Sequence, residues 1–186
     1  VDKLVVSKML PLRELGYYTV ATTVASIVLM AVAPVHATFF PRFTQMVAAA
    51  DRKLAQTYHR AAQAVSLIAI PVAGVLCTFS GEVVSVWTRE PSVAAETRWL
   101  VVLLVSGALF NALVTVPYAL QLAHGWTAPA LALNACGAVV MVPATIAAVS
   151  AAGTAGAAGA WLALHASFLL VGGFVTHRRL LRGEGT

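Results

Sequence analysis

The sequence predicts an all-α, polytopic membrane protein: a helical bundle of five full transmembrane helices preceded by one partial helix. Three observations predict it. Residues 99–177 form a run of 79 positions without a single Asp, Glu, Lys or Arg. A soluble domain carries about 25% charged residues, so a stretch of that length is not a water-facing surface. The whole chain is 60% hydrophobic and 10% charged, with a mean hydropathy of +0.85. The apolar runs also come in pieces near the ~20 residues that cross a bilayer as a helix, parted by short polar turns. Backbone groups in lipid must be paired internally, which leaves helices or closed barrels. The alternating ~10-residue strands of a barrel are not found in this sequence.

Val1 opens without an initiator Met into Leu4-Val5-Val6, with Asp2-Lys3 beside it. This predicts the second half of a helix over 1–10 and a chain that is a piece of a longer one. Met9 to Glu14 reads as a polar turn, with a break at Gly16 and an interfacial aromatic pair at Tyr17-Tyr18. From Leu15 to Pro41 no residue is charged, so the first full span is expected at about 17–39, with Pro34 kinking it or ending it early. Residues 42–60 separate into an apolar side (Phe43, Met46, Val47, Leu54, Tyr58) and a basic side (Arg42, Arg52, Lys53, Arg60). An amphipathic helix on an anionic membrane surface is expected there, the alternative being two solvated extensions of the flanking helices. The second span is expected at 61–80. The acidic segment 82–98 follows, bracketed by Trp87 and Trp99 as interfacial anchors, with a helix start at Pro91-Ser92. The charge-free block divides into spans at about 98–122, 127–148 and 154–176. His124-Gly125-Trp126 and residues 150–153 form its turns, and Ala152-Gly156-Ala160 makes a small-residue packing face.

Alternation of these spans puts Arg42, Arg52, Lys53, Arg60, Arg178, Arg179 and Arg182 on one side, against Lys8, Arg13, Arg89 and Arg98 on the other. Seven cations against four make the first side cytoplasmic, with the C-terminus inside. The formal net charge of +5 does not indicate nucleic acid, because the basic residues flank apolar spans and form no stripe with aromatics. Cys77 and Cys136 lack metal-ligand spacing and read as small apolar helix residues. No catalytic constellation, metal site or cofactor loop is visible, so the chain is not expected to be an enzyme.

Polar groups inside apolar spans are costly unless they face a cavity or a partner. Asn111, Gln121, Asn134, His36 and His165 qualify, together with Asp2 and Lys3. Asn and Gln also serve as plain interhelical hydrogen-bond partners, and His36 and His124 lie near span ends. Pro34, Pro71, Pro117 and Pro143 interrupt four of the five spans. Each removes a backbone hydrogen bond and can release a carbonyl toward a cavity, as in alternating-access transporters.

Several segments together are familiar. Asp2-Lys3-Leu4-Val5-Val6-Ser7-Lys8, with Leu15-Gly16-Tyr17-Tyr18, resembles the start of the C-terminal half of O-antigen flippases. These form the polysaccharide-biosynthesis branch of the multidrug/oligosaccharidyl-lipid/polysaccharide exporter superfamily. Phe40-Pro41-Arg42-Phe43-Thr44, Val86-Trp87-Thr88, the set Gly107, Asn111, Pro117-Tyr118, Gln121 and Gly125, and Gly156-Ala157-Ala158-Gly159-Ala160 look like later family segments, in the same order. The resemblance implies the second lobe of a two-lobe, MATE-like transporter of about twelve helices. It implies movement of undecaprenyl-diphosphate-linked oligosaccharide across the bacterial cytoplasmic membrane, and an N-terminal lobe as the partner unit. Glycan polymerase or assembly proteins are further expected partners, and no cofactor is implied. The cavity residues expected are Asp2, Lys3, Arg42, Asn111, Tyr118, Gln121 and His165. Lys3 or Arg42 would meet the diphosphate, the amides the sugar hydroxyls, and Asp2 or His165 would carry a coupling proton. The alternatives are a drug or small-molecule cation antiporter of the same superfamily, and a non-transporting scaffold for glycan assembly.

Overall fold

A computed structural model describes residues 2–176, apart from the side chains of Asp2, 129, 130, 132–134 and 173–176. The chain forms α1 (Asp2–Met9), α2 (Leu12–Ala48), α3 (Leu54–Thr78), α4 (Ser80–Thr88), α5 (Pro91–Ala123) and α6 (Thr127–Thr176). Among the described residues there is no strand. Among the described residues, four helices are long and apolar enough to cross a membrane: Leu12–Ala48, Leu54–Thr78, Pro91–Ala123 and Ala135–Gly172.

The break expected at Gly16 lies earlier, at Leu10-Pro11, and Arg13 and Glu14 already belong to α2. Pro11 sits at the N-cap with φ −58° and ψ 153°, a proline conformation that fits helix entry. Pro34 and Pro41 both lie inside α2, and neither ends it. A proline in a helix costs about 3 kcal/mol. Ending the helix in lipid would strand up to four N–H and four C=O groups, which is worse. The segment 42–60 is not one surface helix. Residues 42–48 continue α2, 54–60 open α3, and the turn between them places Ala50 at φ 47°. The acidic segment contributes a helix of its own, α4, closed by Arg89 in the left-handed conformation. Pro91 then stands at the first position of α5, where its missing N–H costs nothing.

α5 is the axis of the bundle, packing against α2, α3, α4 and α6. α2 buries Tyr17, Ala21, Val24, Val28 and Val32, a three-to-four residue spacing that makes one stripe. α3 buries Ala61, Val65, Ala69 and Ala73, whose small side chains let it approach closely. Tyr18, Phe43, Leu104 and Leu120 are the largest fully buried side chains. α5 ends in a Schellman motif: Gly125 N–H donates to Leu122 O and Trp126 N–H to Gln121 O, both at 2.9 Å, with Gly125 at φ 69°.

α6 is a hairpin of two helices joined at a kink. Ala152 (φ −139°, ψ 19°) and Gly153 (φ 58°, ψ −137°) are non-helical. Beyond them the chain folds back on itself. A Cβ at Gly156 would collide with the carbonyl of Ala148, and one at Gly137 would lie 2.6 Å from Phe168 Cζ. The pairs 148/156 and 137/168 have nearly equal sums, the signature of antiparallel neighbours.

Three connections gather at one end of the bundle. Thr154 Oγ1 donates to Glu14 Oε2 at 3.4 Å. Arg13 Nε donates to Tyr17 Oη at 2.7 Å, and its guanidinium lies 5.3 Å from that ring's centre. The carboxylates of Glu96 and Glu14 act electrostatically on the same guanidinium. The α1–α2 turn, the start of α5 and the kink of α6 therefore share an end, and α5 runs parallel to the second half of α6.

Candidate functional site

The candidate residues spread along the bundle and do not form one cluster. Lys3 is exposed on α1, which packs against α6 and α2. It stands about 10 Å along the helix from Leu10. Arg42 is exposed on α2, roughly 45 Å from the start of that helix. It belongs with the basic turn at the opposite end, far from Lys3. The side chains of Asp2 and Asn134 lie outside the described residues, as do Arg178, Arg179 and Arg182.

α5 carries three candidates at different depths. Asn111 is half-buried, Tyr118 is 37% exposed and Gln121 is buried. At 100° per residue Asn111 and Tyr118 fall within about 20° of each other, and Gln121 lies roughly 60° further round. Pro117, between them, is buried and cannot donate to the carbonyl of Leu113. Gln121 is in the last turn, where its carbonyl already accepts the Schellman bond from Trp126.

His165 is buried at 6% exposure, on the second half of α6. Its Nδ1 is 3.0 Å from the carbonyl oxygen of Trp161. A carbonyl only accepts, so Nδ1 is the donor in this contact. The ring lies 4.0 Å from that of Trp161 and 6.1 Å from that of Phe168. Trp161, His165 and Phe168 recur at four- and three-residue steps, so they form a ladder on one face.

Two glycines receive this ladder. A Cβ at Gly107 of α5 would sit 2.6 Å from Trp161 Cδ1, and Gly137 makes the corresponding room for Phe168. Gly107 meets Trp161 and Leu162 on a parallel helix, so Asn111 and His165, each four residues further on, stand at a similar level. Neither glycine nor Trp161 was singled out by sequence reasoning as part of the His165 environment. The signal present was a Trp-x3-His-x2-Phe spacing with glycines on the preceding two spans. His165→Ala is expected to open a void between Trp161 and Phe168. A core truncation of this kind costs on the order of 2 kcal/mol or more, read as a lowered thermal midpoint in detergent.

Residues 1–89 match the model of a family described as polysaccharide biosynthesis protein. The match takes in α1, α2, α3 and α4 and hence Lys3 and Arg42, but not the polar face of α5 or the ladder of α6. No curated protein and no solved structure matches the chain. The match and the long apolar helices fit a polysaccharide-related membrane protein.

Proposed function

We propose that this chain is one lobe of a transporter that moves lipid-linked oligosaccharide across the cytoplasmic membrane by alternating access, for surface polysaccharide synthesis. The observation that carries the reading is the family match over residues 1–89, combined with a build suited to transport. If each arm of the α6 hairpin crosses, the crossing segments among the described residues number five, with α1 as a proposed partial sixth. The proposed substrate is an undecaprenyl-diphosphate-linked oligosaccharide, whose anionic diphosphate calls for a cation such as Lys3 and whose hydroxyls suit amides such as Asn111 and Gln121. Alternating access between two lobes needs a second, N-terminal lobe, which is the partner this reading requires. His165, with Nδ1 fixed as a donor, is the proposed coupling group, and no chemical bond is made or broken. The seven-to-four cation asymmetry supports a cytoplasmic C-terminus.

The test is genetic and topological. Cells lacking the intact gene are expected to lose surface polysaccharide and to accumulate lipid-linked oligosaccharide on the cytoplasmic leaflet, with both effects reversed by the gene. Normal export of polymer in the deletion strain would overturn the reading. Resistance to cationic dyes without a glycan phenotype would assign the chain to small-molecule export instead.

A further inference from the structure

The outer face of α3 has a feature that the transport reading does not use. α3 buries Ala61, Val65, Ala69 and Ala73 against the bundle, with α2 and α5 as its neighbours. On its other side lies an open groove of about 680 Å³, lined by His59, Gln63, Ser66, Leu67, Ile70 and Pro71 among others. At 100° per residue His59, Gln63, Ser66 and Ile70 fall within roughly 60° of arc. Leu67 and Pro71 lie roughly 40° and 80° beyond Gln63, so the polar strip and the apolar strip adjoin on one side of the helix. From His59 to Pro71 the groove is about 18 Å long, close to one leaflet of a ~30 Å hydrocarbon core.

The two ends of this groove differ in chemistry. His59, Gln63 and Ser66 offer an imidazole, an amide and a hydroxyl at the end nearest the α2–α3 turn. Arg52, Lys53 and Arg60 are exposed at that same end. The one acid of that turn, Asp51, has a carboxylate oxygen accepting the backbone N–H of Lys53 at 2.8 Å, and three cations outweigh it. Toward the middle of α3 the lining is apolar: Leu67 is 76% exposed and Ile70 53%. A cationic, hydrogen-bonding end that passes into an apolar trough is the complement of an amphiphile with a phosphate head and a hydrocarbon tail.

We infer that the outer groove of α3 holds one anionic phospholipid, its phosphate among His59, Gln63 and Arg60 and one acyl chain along Leu67, Ile70 and Pro71. The charge complementarity selects an anionic head over a zwitterionic one. The site is separate from Lys3, α5 and His165, so the inference stands or falls independently of the transport reading.

The test uses the full chain in detergent, with bound lipid read by native mass spectrometry. The probes are phosphatidylglycerol and phosphatidylcholine of equal chain length. Wild type is expected to retain phosphatidylglycerol preferentially and to gain thermal stability from it. A cation near the surface is worth about fivefold in affinity for an anionic lipid, so Arg60→Gln should lower retention by about that factor. His59→Gln combined with Gln63→Leu should lower it further. Leu67→Trp should block the trough and reduce retention of the lipid while Arg60 is intact. Equal retention of both lipids, or unchanged retention in these variants, overturns the site. Displacement of phosphatidylglycerol by a polyprenyl phosphate, lost in the same variants, overturns the phospholipid assignment and gives the groove to the carrier lipid.

Discussion

Gly156→Val is expected to destroy the fold of the α6 hairpin, while Gly159→Ala, three residues on, is expected to be tolerated. The two glycines look alike in sequence but differ in surroundings. A Cβ at position 156 would overlap the backbone carbonyl of Ala148, with Val149 N at 3.2 Å. Backbone cannot swing away as a flexible side chain can, so the two arms of the hairpin would have to separate. Overpacking a well-packed core costs about 1–3 kcal/mol and occasionally more. Here the obstacle is rigid, so the top of that range is the expected minimum, against a total stability of about 5–15 kcal/mol. A Cβ at position 159 would meet nothing within 4 Å beyond its own stretch of helix backbone. Replacing Gly159 by Ala removes a glycine from a helix interior, which favours the helix by up to about 1 kcal/mol. Size-exclusion profiles and thermal midpoints of the two variants in one detergent should diverge. Equal behaviour would show that the close approach at Gly156 is not maintained.

Lys3→Ala in the intact protein is expected to reduce surface polysaccharide by about tenfold or more without lowering the amount of protein. An ammonium at membrane depth is tolerated only beside water or a partner of opposite charge. Lys3 is exposed on α1, so the bundle described here does not bury it. A charge-assisted hydrogen bond is worth about 1.5–3 kcal/mol, which corresponds to roughly ten- to a hundredfold in binding of an anionic group. Lys3→Arg keeps the charge and should retain part of the activity. Wild-type polymer in the Lys3→Ala strain would remove Lys3 from the substrate path, and loss of protein would point to a structural role.

The all-helical class was legible because hydropathy and charge are local properties. The charge-free run 99–177, the start at Pro91 and the turn near Gly153 needed no tertiary information. The length of α2 was not legible. Pro34 and Gly16 are strong local breakers, but lipid makes a helix end costlier than an interrupted one, and only the environment decides between them. The segment 42–60 shows the opposite limit. A helical wheel assumes continuity, and it cannot see that residues 49–53 leave the helix. The surroundings of His165 were hidden for a third reason. They depend on Gly107 and Gly137, remote in sequence, whose significance is the absence of a side chain where Trp161 and Phe168 arrive. Lys3 and Arg42 stand as alternative phosphate ligands in the sequence. Composition could not reveal that a 37-residue helix keeps them far apart.

The kink at Ala152-Gly153 has a consequence for how the chain enters the bilayer. The hairpin it closes has no charged residue in either arm or in its turn. Either face of the membrane would accept that turn at similar electrostatic cost, so the hairpin carries no orientation signal of its own. By the positive-inside rule its direction would be set by Arg98 before the charge-free run and by the arginines after His177. Two arms that enter together would carry across nothing larger than Ser150-Ala151-Ala152-Gly153-Thr154. The charge-free hairpin would thus be a passenger in topogenesis, aligned by charges that flank it.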